Sequence, residues 1–502
     1  MNDTLAAEKA TDAGVGEAGR ADAAAEAGGV GPTLAGERIV GLDVARGLAL
    51  LGILLVNIHS MGDAMGTWIT PDYRLQATGL DSAAWWFTGV FCEGKFYPLF
   101  SLLFGVGMAL QLERAAARGG GFAGLYARRM GLLLLIGLAH AWLLWHGDIL
   151  FYYALTGFVL MAVAGLSART LTILGAALMG LTLLLVMGSG ALGVMAESWG
   201  GEVTTSDAAA VAAAYDPSRS SLIQLFEWIG EHSVSGPDDP AWLFFERVAY
   251  REGPFLDALG FRVMTWLLIV FFWLLLVSWQ IFGLFCLGVA MVKAGWLRGE
   301  MTSRWRVMGL WLTTIGLACS AGLVTLGGWL GGAAGEMVAG VGTMVVGPVI
   351  AAGYLGLAIG WVARSRAMGW MAAGLAATGR MALTNYLTQS VLAYAVFCWW
   401  GLGLFGELSA AQRVGLAVLI FGVQVAWSVA WLQVFAMGPM EWAWRCATYG
   451  RVISIERGAG AGGGRGGGGR RWCRACATRG GRRSAWVRRG ARARRWGRCR
   501  SD

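Results

Sequence analysis

Long apolar runs recur along this chain, at residues 39–61, 84–112, 130–146, 149–166, 170–194, 266–292, 307–330, 337–362, 380–400 and 413–437. A helix needs roughly 20 apolar residues to cross a hydrocarbon core. Inside lipid every backbone N–H and C=O must find a partner within the protein, so only helices and closed barrels can span it. Runs of this length suit helices. They predict an all-α fold: a polytopic transmembrane helix bundle of about ten spans. Composition agrees, with 14% charged residues in 502 and a mean hydropathy of +0.57. The lipid bilayer is therefore the first expected partner.

Charge sorts the connections into two sets. Arg114, Arg118, Arg128 and Arg129 follow the second run, and Arg169 follows the fourth. Lys293, Arg298, Arg304 and Arg306 follow the sixth, Arg364 and Arg366 the eighth, Arg445 and Arg451 the tenth. These are alternate connections and share one side. The opposite connections carry Asp63, Asp72, Asp81, Glu336 and Glu407. Basic residues concentrate on the cytoplasmic side of membrane proteins. Both termini are thus expected in the cytoplasm, in a multi-pass protein of the bacterial plasma (inner) membrane.

The runs divide the chain. Residues 1–36 read as a disordered tail and 37–194 as a first membrane region of about five spans. Residues 195–265 form an extracytoplasmic loop, and 266–451 a second membrane region of about five spans. Residues 452–502 read as a disordered Arg/Gly-rich tail. Within the loop, "IQLFEWIGEHSV" has the pattern of an amphipathic helix lying on a membrane, and "PDDP" at 237–240 is a turn signal. The net charge of +9 comes from the end of the chain: residues 457–502 hold 15 Arg and one acid, a charge of +14, which leaves −5 for the rest. Nothing in the body of the chain suits nucleic acid; only the tail offers arginines for RNA or acidic lipid. Cys92, Cys286, Cys319, Cys398 and Cys446 occur singly, and Cys473-x-x-Cys476 lacks a second pair. No metal site or disulfide framework is implied.

Ionisable residues inside apolar runs are costly and mark candidate sites. In the first run Asp43 and Arg46 stand one helical turn apart. Asn57 follows Arg46 by eleven residues, almost three full turns at 3.6 residues each. Asp43, Arg46, Leu50, Ile53 and Asn57 therefore share one face, which must look into protein or a polar cavity. A structural alternative is that Asp43 and Arg46 pair and cap the helix end. Glu93, Lys95 and Pro98 interrupt the second run, so an outer, re-entrant piece is expected before a span starting near Tyr97. Glu93 and Lys95 are candidates for an outward-facing cavity or, alternatively, an interfacial turn. His140 lies inside the third run and Asp148 at the turn after it. A neutral imidazole held in lipid can act as a base or simply hold helices together. Late in the chain "TGRMALTNYLTQS" puts Asn385 and Gln389 on one helix face, a second polar stripe that either meets the first or only joins helices.

Four blocks carry a family resemblance: "RIVGLDVARGLALLGILLVNI", "EGKFYPLFSLLFGVG", "RRMGLLLLIGLAHAWLLWHGDILFYYALTG" and "TGRMALTNYLTQS" with "FAMGPMEWAWRCATYGR". Together they resemble the YeiB-like membrane proteins, which carry the domain of unknown function 418 in their C-terminal half. The resemblance covers about residues 37–451. The first block is also distantly similar to the opening of the transmembrane acyltransferases, which include the lysosomal heparan glucosaminide acetyltransferases and bacterial surface-sugar acyltransferases. Some of those have an Arg followed eleven residues later by a His. The matching positions here are Arg46 and Asn57, so the His is replaced, and His140 is the substitute candidate.

Two functional classes follow. As a membrane O- or N-acyltransferase, the protein would bind cytoplasmic acyl-CoA as a co-substrate, with no bound cofactor, its phosphates near Arg46, Arg128 and Arg129. His140, with Asp148, would serve as the base toward an extracytoplasmic or membrane-bound glycan or lipid acceptor near Glu93 and Lys95. As a small-solute transporter or exporter, the protein would line a path with the same polar residues, Asn385 among them. There is no phosphate-binding loop, dinucleotide fingerprint, HExxH or nucleophile elbow.

Overall fold

The computed structural model describes residues 39–69, 77–117, 121–199, 205–232, 234, 236–297, 301–362 and 369–456. Residues 1–36 and 457–502, expected as disordered, lie outside the described residues; residues 452–456, expected as part of the disordered tail, are described, with Ile455 accepting from the Ala436 N–H. Among the described residues the only non-helical pairing is an antiparallel bridge between Phe435 and Glu456.

Among the described residues eight helices are long and apolar enough to cross a membrane: α1 Val40–Met61, α2 Gly79–Ala117, α3 Phe122–Leu143, α5 Ala168–Met195, α6 Phe255–Lys293, α7 Arg304–Leu330, α8 Gly332–Gly360 and α10 Ala410–Val434. The two other apolar runs form shorter helices, α4 Leu150–Val163 and α9 Ala382–Phe397, of 14 and 16 residues. At 1.5 Å per residue these are about 21 and 24 Å long, short of the roughly 30 Å core. The protein is a multi-pass, all-helical membrane bundle.

Two boundaries differ from the apolar pattern. α6 begins at Phe255, not near residue 266, because Asp257 and Arg262 depress the local hydropathy yet are buried and bonded. Asp257 accepts hydrogen bonds from the Ser221 N–H at 2.7 Å and from the Ser220 hydroxyl at 2.8 Å. Arg262 Nε donates to the Trp142 carbonyl at 3.0 Å. In α2 the helix breaks at Glu93–Lys95, where Gly94 takes a left-handed conformation (φ 76°) open chiefly to glycine.

α1 lies at the centre, touching α2, α8, α9, α10 and the helix Gly369–Arg380. Gly47 abuts the Leu375 backbone and Gly379 the Asp43 backbone, so a Cβ on either glycine would collide with main chain. Such reciprocal small-residue contacts let helices cross closely in lipid. Their order shows that Gly369–Arg380 runs antiparallel to α1. At Met381 (φ −108°, ψ 36°) the chain reverses. α9 then follows α1 in parallel, with Gln389 beside Leu50 and Phe397 beside Gly62. This V-shaped pair carries Arg380 to one end of the bundle and Ser390 into its interior.

At the opposite end, the segment before α6 folds into helices Ala208–Ala214, Ser221–Glu231 and Pro240–Arg251. The "PDDP" turn becomes the start of the last one. Asp239 accepts from the Ala241 N–H at 2.9 Å, and Pro240 occupies the first turn. Asp63, just past α1, is bridged by Arg247 of this helix and Arg413 of α10, each at 2.9 Å.

Candidate functional site

His140 lies in the last turn of α3, and its carbonyl accepts from the Leu144 and Trp145 N–H groups. The short turn that follows brings Asp148 back under the imidazole. His140 Nδ1 lies 2.9 Å from Asp148 Oδ1, with both side chains at most 1% exposed. Asp148 Oδ2 accepts from the Phe151 N–H at 2.7 Å. That donor is one of the unsatisfied groups in the first turn of α4, where negative charge is favoured. Asp148 thus serves as cap and as histidine partner at once. The other ring nitrogen, Nε2, lies 2.8 Å from Ser390 Oγ of α9.

The proton positions follow from chemistry. An ionised carboxylate only accepts, so Nδ1 carries hydrogen. In a neutral imidazole Nε2 is then an acceptor, and the Ser390 hydroxyl donates to it. Asp148, His140 and Ser390 form one directed chain, buried where α3, α4 and α9 meet.

Tyr386 stands one turn before Ser390 on the same face of α9. Its ring centroid is 5.0 Å from that of His140. It also lines a cavity of about 350 Å³. Leu133, Ile149, Leu150 and Tyr153 complete the inner end of this cavity, and five arginines line it toward the helix ends: Arg46, Arg114, Arg129, Arg380 and Arg445. Arg46 Nη1 donates to Asp43 at 2.7 Å. The Arg129 guanidinium sits 4.0 Å from the centre of the Trp444 ring. Arg380 Nη2 donates to the Ala436 carbonyl at 3.0 Å. Glu441, also in the lining, accepts from the Leu383 N–H at 2.6 Å and the Thr384 hydroxyl at 2.5 Å. It caps α9, and burial raises its carboxyl above the usual range.

The residues singled out in the sequence fall into six places. His140 and Asp148 are directly bonded. Asp43, Arg46 and Arg129 line the cavity. Asn57 is half-buried on α1 outside the lining. It shares the azimuth of Arg46 but lies about 16 Å further along the axis, beyond Ile53, the deepest α1 residue in the lining. Arg128 is exposed and outside the lining, beside Gly450. Lys95 is buried in the break of α2, where Nζ donates to the Gly89 carbonyl at 2.6 Å; Glu93 is half-buried at the same turn, and neither lines the cavity. Asn385 is buried on a neighbouring face of α9, donating to Ser428 Oγ at 2.9 Å and to the Thr378 carbonyl at 3.1 Å. The two polar stripes do meet, through Gln389 Nε2 and the Leu50 carbonyl at 3.4 Å.

Sequence reasoning missed Ser390, Tyr386 and Arg380 as site residues, and it treated Arg114 and Arg445 only as end charges. The available signal was the four-residue spacing of Tyr386 and Ser390 beside that of Asn385 and Gln389. His146, at the turn after α3, is 3% exposed. Burial, with Arg262 nearby, pushes its pKa down to about 3.

Residues 291–451 match the family described as a protein of unknown function (DUF418). The chain is 31% identical over 433 residues to Uncharacterized protein YxaH of Bacillus subtilis, covering 83% of this chain and 96% of that one. It is 30% identical over 423 residues to Uncharacterized protein YeiB of Escherichia coli, covering 82% and 96%. An uncharacterized 39.9 kDa protein in the amylase 3′ region of Bacillus acidopullulyticus is 27% identical over 428 residues, covering 84% and 97%. No solved structure matches. Ser390, Tyr386 and Glu441 lie inside the DUF418 match, whereas His140 and Asp148 lie before it.

Proposed function

The chain belongs to the YeiB-like family, and on that premise we propose that it is an acyltransferase of the bacterial plasma (inner) membrane. It takes an acyl group from cytoplasmic acyl-CoA and passes it to a hydroxyl or amine of an extracytoplasmic or membrane-bound glycan or lipid. One observation carries this reading: an Asp-held histidine lies directly behind the inner wall of an arginine-lined cavity.

The arginine-rich end is the cytoplasmic one by the positive-inside rule. There Arg46, Arg114, Arg129, Arg380 and Arg445 hold the diphosphate and 3′-phosphate of CoA, the geometry for which guanidinium groups are suited. The volume is within the range of small-molecule sites, roughly 300–1,000 Å³. It takes the pantetheine arm and a short acyl chain, ending at Tyr386. His140 is the general base. Asp148 holds its tautomer and stabilises the imidazolium that forms when it takes a proton. Only the neutral acyl group crosses, and the charged carrier stays on its own side. The distant similarity of the first helix to transmembrane acyltransferases supports the same reading. Solute passage would need a path past Tyr386, behind which His140 and Ser390 are buried, and this favours group transfer over transport.

The test uses membranes containing the full-length protein and radiolabelled acetyl-CoA. Label should enter a glycan or lipid fraction with wild-type protein and fall to background with His140→Ala at equal protein level. Undiminished labelling in that variant would remove His140 from the chemistry. Counterflow of an unmodified solute in proteoliposomes, with no label incorporated, would replace the reading with transport.

A further inference from the structure

Resting on the acyl-transfer reading, we infer that Ser390 is a nucleophile that carries the acyl group between donor and acceptor. The nitrogen with which His140 would attack an acceptor proton, Nε2, is already engaged by Ser390 Oγ at 2.8 Å. The first proton within reach is therefore that of Ser390. Nucleophile, base and orienting carboxylate stand in sequence at hydrogen-bonding distances, the arrangement that activates a hydroxyl.

The comparison with other buried hydroxyls is informative. Ser101, Thr156, Thr182 and Thr378 each turn back on the carbonyl four residues earlier, at 2.7 to 3.0 Å. This is the usual resting place of a hydroxyl in an apolar helix. Among the described residues, Ser390 is bonded across the bundle to His140 instead. Its position fits the route of the donor as well, because Tyr386, one turn earlier, is the inner wall of the cavity. In the proposed reaction the acyl group passes that ring to reach the serine. Burial keeps water from the acyl-serine once it has formed. Trp145 meets His140 edge-on and has a buried indole N–H with no hydrogen-bond partner among the described residues.

The step balances in two halves. Ser390 Oγ attacks the thioester carbonyl as its proton moves to His140 Nε2. The C–S bond breaks, and the departing thiolate takes that proton, leaving CoA-SH and an acyl-serine ester. An acceptor hydroxyl or amine then attacks the ester while giving its proton to Nε2. The C–Oγ bond breaks, and Ser390 recovers the proton. No oxidation or reduction occurs.

This half-reaction can be measured without knowing the acceptor. Purified full-length protein in nanodiscs would be given acetyl-CoA and radiolabelled CoA. Exchange of label into acetyl-CoA, together with one acetyl group on the peptide containing Ser390, is expected. Ser390→Ala should lower exchange by about 10³-fold or more while melting like wild type. Ser390→Cys keeps the shape, and its acetyl label should become labile to neutral hydroxylamine, as a thioester is. Ser390→Ala protein that labels its membrane acceptors at the wild-type rate would overturn the inference and leave acyl transfer standing. So would a Ser390→Cys label as resistant as the wild-type ester. Wild-type protein showing neither exchange nor transfer into membrane fractions would overturn the acyl-transfer reading itself.

Discussion

Two faces of one helix, α9, are both buried and both hydrogen-bonded to neighbouring helices, yet they differ in kind. On one face Ser390 meets His140 and Asp148, with Tyr386 a turn away. On the other Asn385 and Gln389 meet Gln424 and Ser428 of α10. Gln424 Nε2 donates to the Asn385 carbonyl at 2.8 Å and to Thr388 Oγ1 at 2.9 Å, while its Oε1 accepts from Gln389. Amides neither gain nor lose protons in the working range, so this second face can only hold helices in register. The first face can move a proton. Burial alone does not separate the two faces; proton-transfer capacity and an adjoining cavity do, and the proposed chemistry rests on them.

That contrast can be broken by substitution. The largest effect is expected from Asp148→Asn. The new amide can still accept from the Phe151 N–H, so α4 stays capped. Its NH₂ group facing Nδ1 reverses the histidine tautomer, and Nε2 then presents hydrogen to Ser390 instead of a lone pair. Acyl-transfer rate should fall about 10³-fold or more with little change in melting temperature. A near-normal rate would show that the two faces do not differ in the way described.

A smaller effect, of the opposite kind, is expected from Gln424→Leu. It removes one acceptor of the Gln389 amide and the donor to the Asn385 carbonyl and Thr388 Oγ1, at a cost of about 1–3 kcal/mol for weakened buried polar pairing. The melting temperature should drop while the rate per folded molecule stays within about threefold of wild type. Loss of activity without loss of stability would instead place the amide face in the chemistry.

The smallest effect concerns pH. The amide face has nothing to titrate, so the pH dependence of folding must come from other groups. His146, behind the relay, is held near a pKa of about 3 by burial and Arg262. Its unfolded form binds a proton below about pH 6.5. The stability linked to it is present above that pH and is lost as pH falls toward 3. Glu246, at the far end, is raised to about 8 by burial first of all, with Asp63 adding to the rise. Stability linked to it is complete below about pH 4.5 and is lost as pH rises toward 8. Melting in detergent should thus become less acid-sensitive in His146→Asn and less alkali-sensitive in Glu246→Gln, whereas Gln424→Leu should shift the whole curve without changing its slope.

Much of the bundle was legible in the sequence, because hydropathy over 18 or more residues is a long, additive signal. α6 shows the limit: Asp257 and Arg262 look like loop residues until their partners Ser221 and Trp142 are seen. The site was legible where a residue type is rare in lipid, as with His140, and where helical spacing aligns neighbours, as with Asp43 and Arg46. Ser390 was not legible. A serine in an apolar helix normally satisfies itself on its own backbone, and its partner lies 250 positions away. The reversal at Met381 was equally hidden, because the contacts that reveal it, Gly47 with Leu375 and Gly379 with Asp43, are made by backbone.

The shortness of α9 has an electrical consequence. Helices inside a bundle need not match the bilayer, since mismatch acts at the lipid-facing surface. With the arginine-lined cavity reaching Tyr386, the insulating layer at the relay is no thicker than α9, about 24 Å against roughly 30 Å for the surrounding hydrocarbon. A membrane voltage dropped over the thinner layer gives a field about a quarter steeper there. On the proposed mechanism, the proton handed between Ser390 and His140 moves within that steeper field.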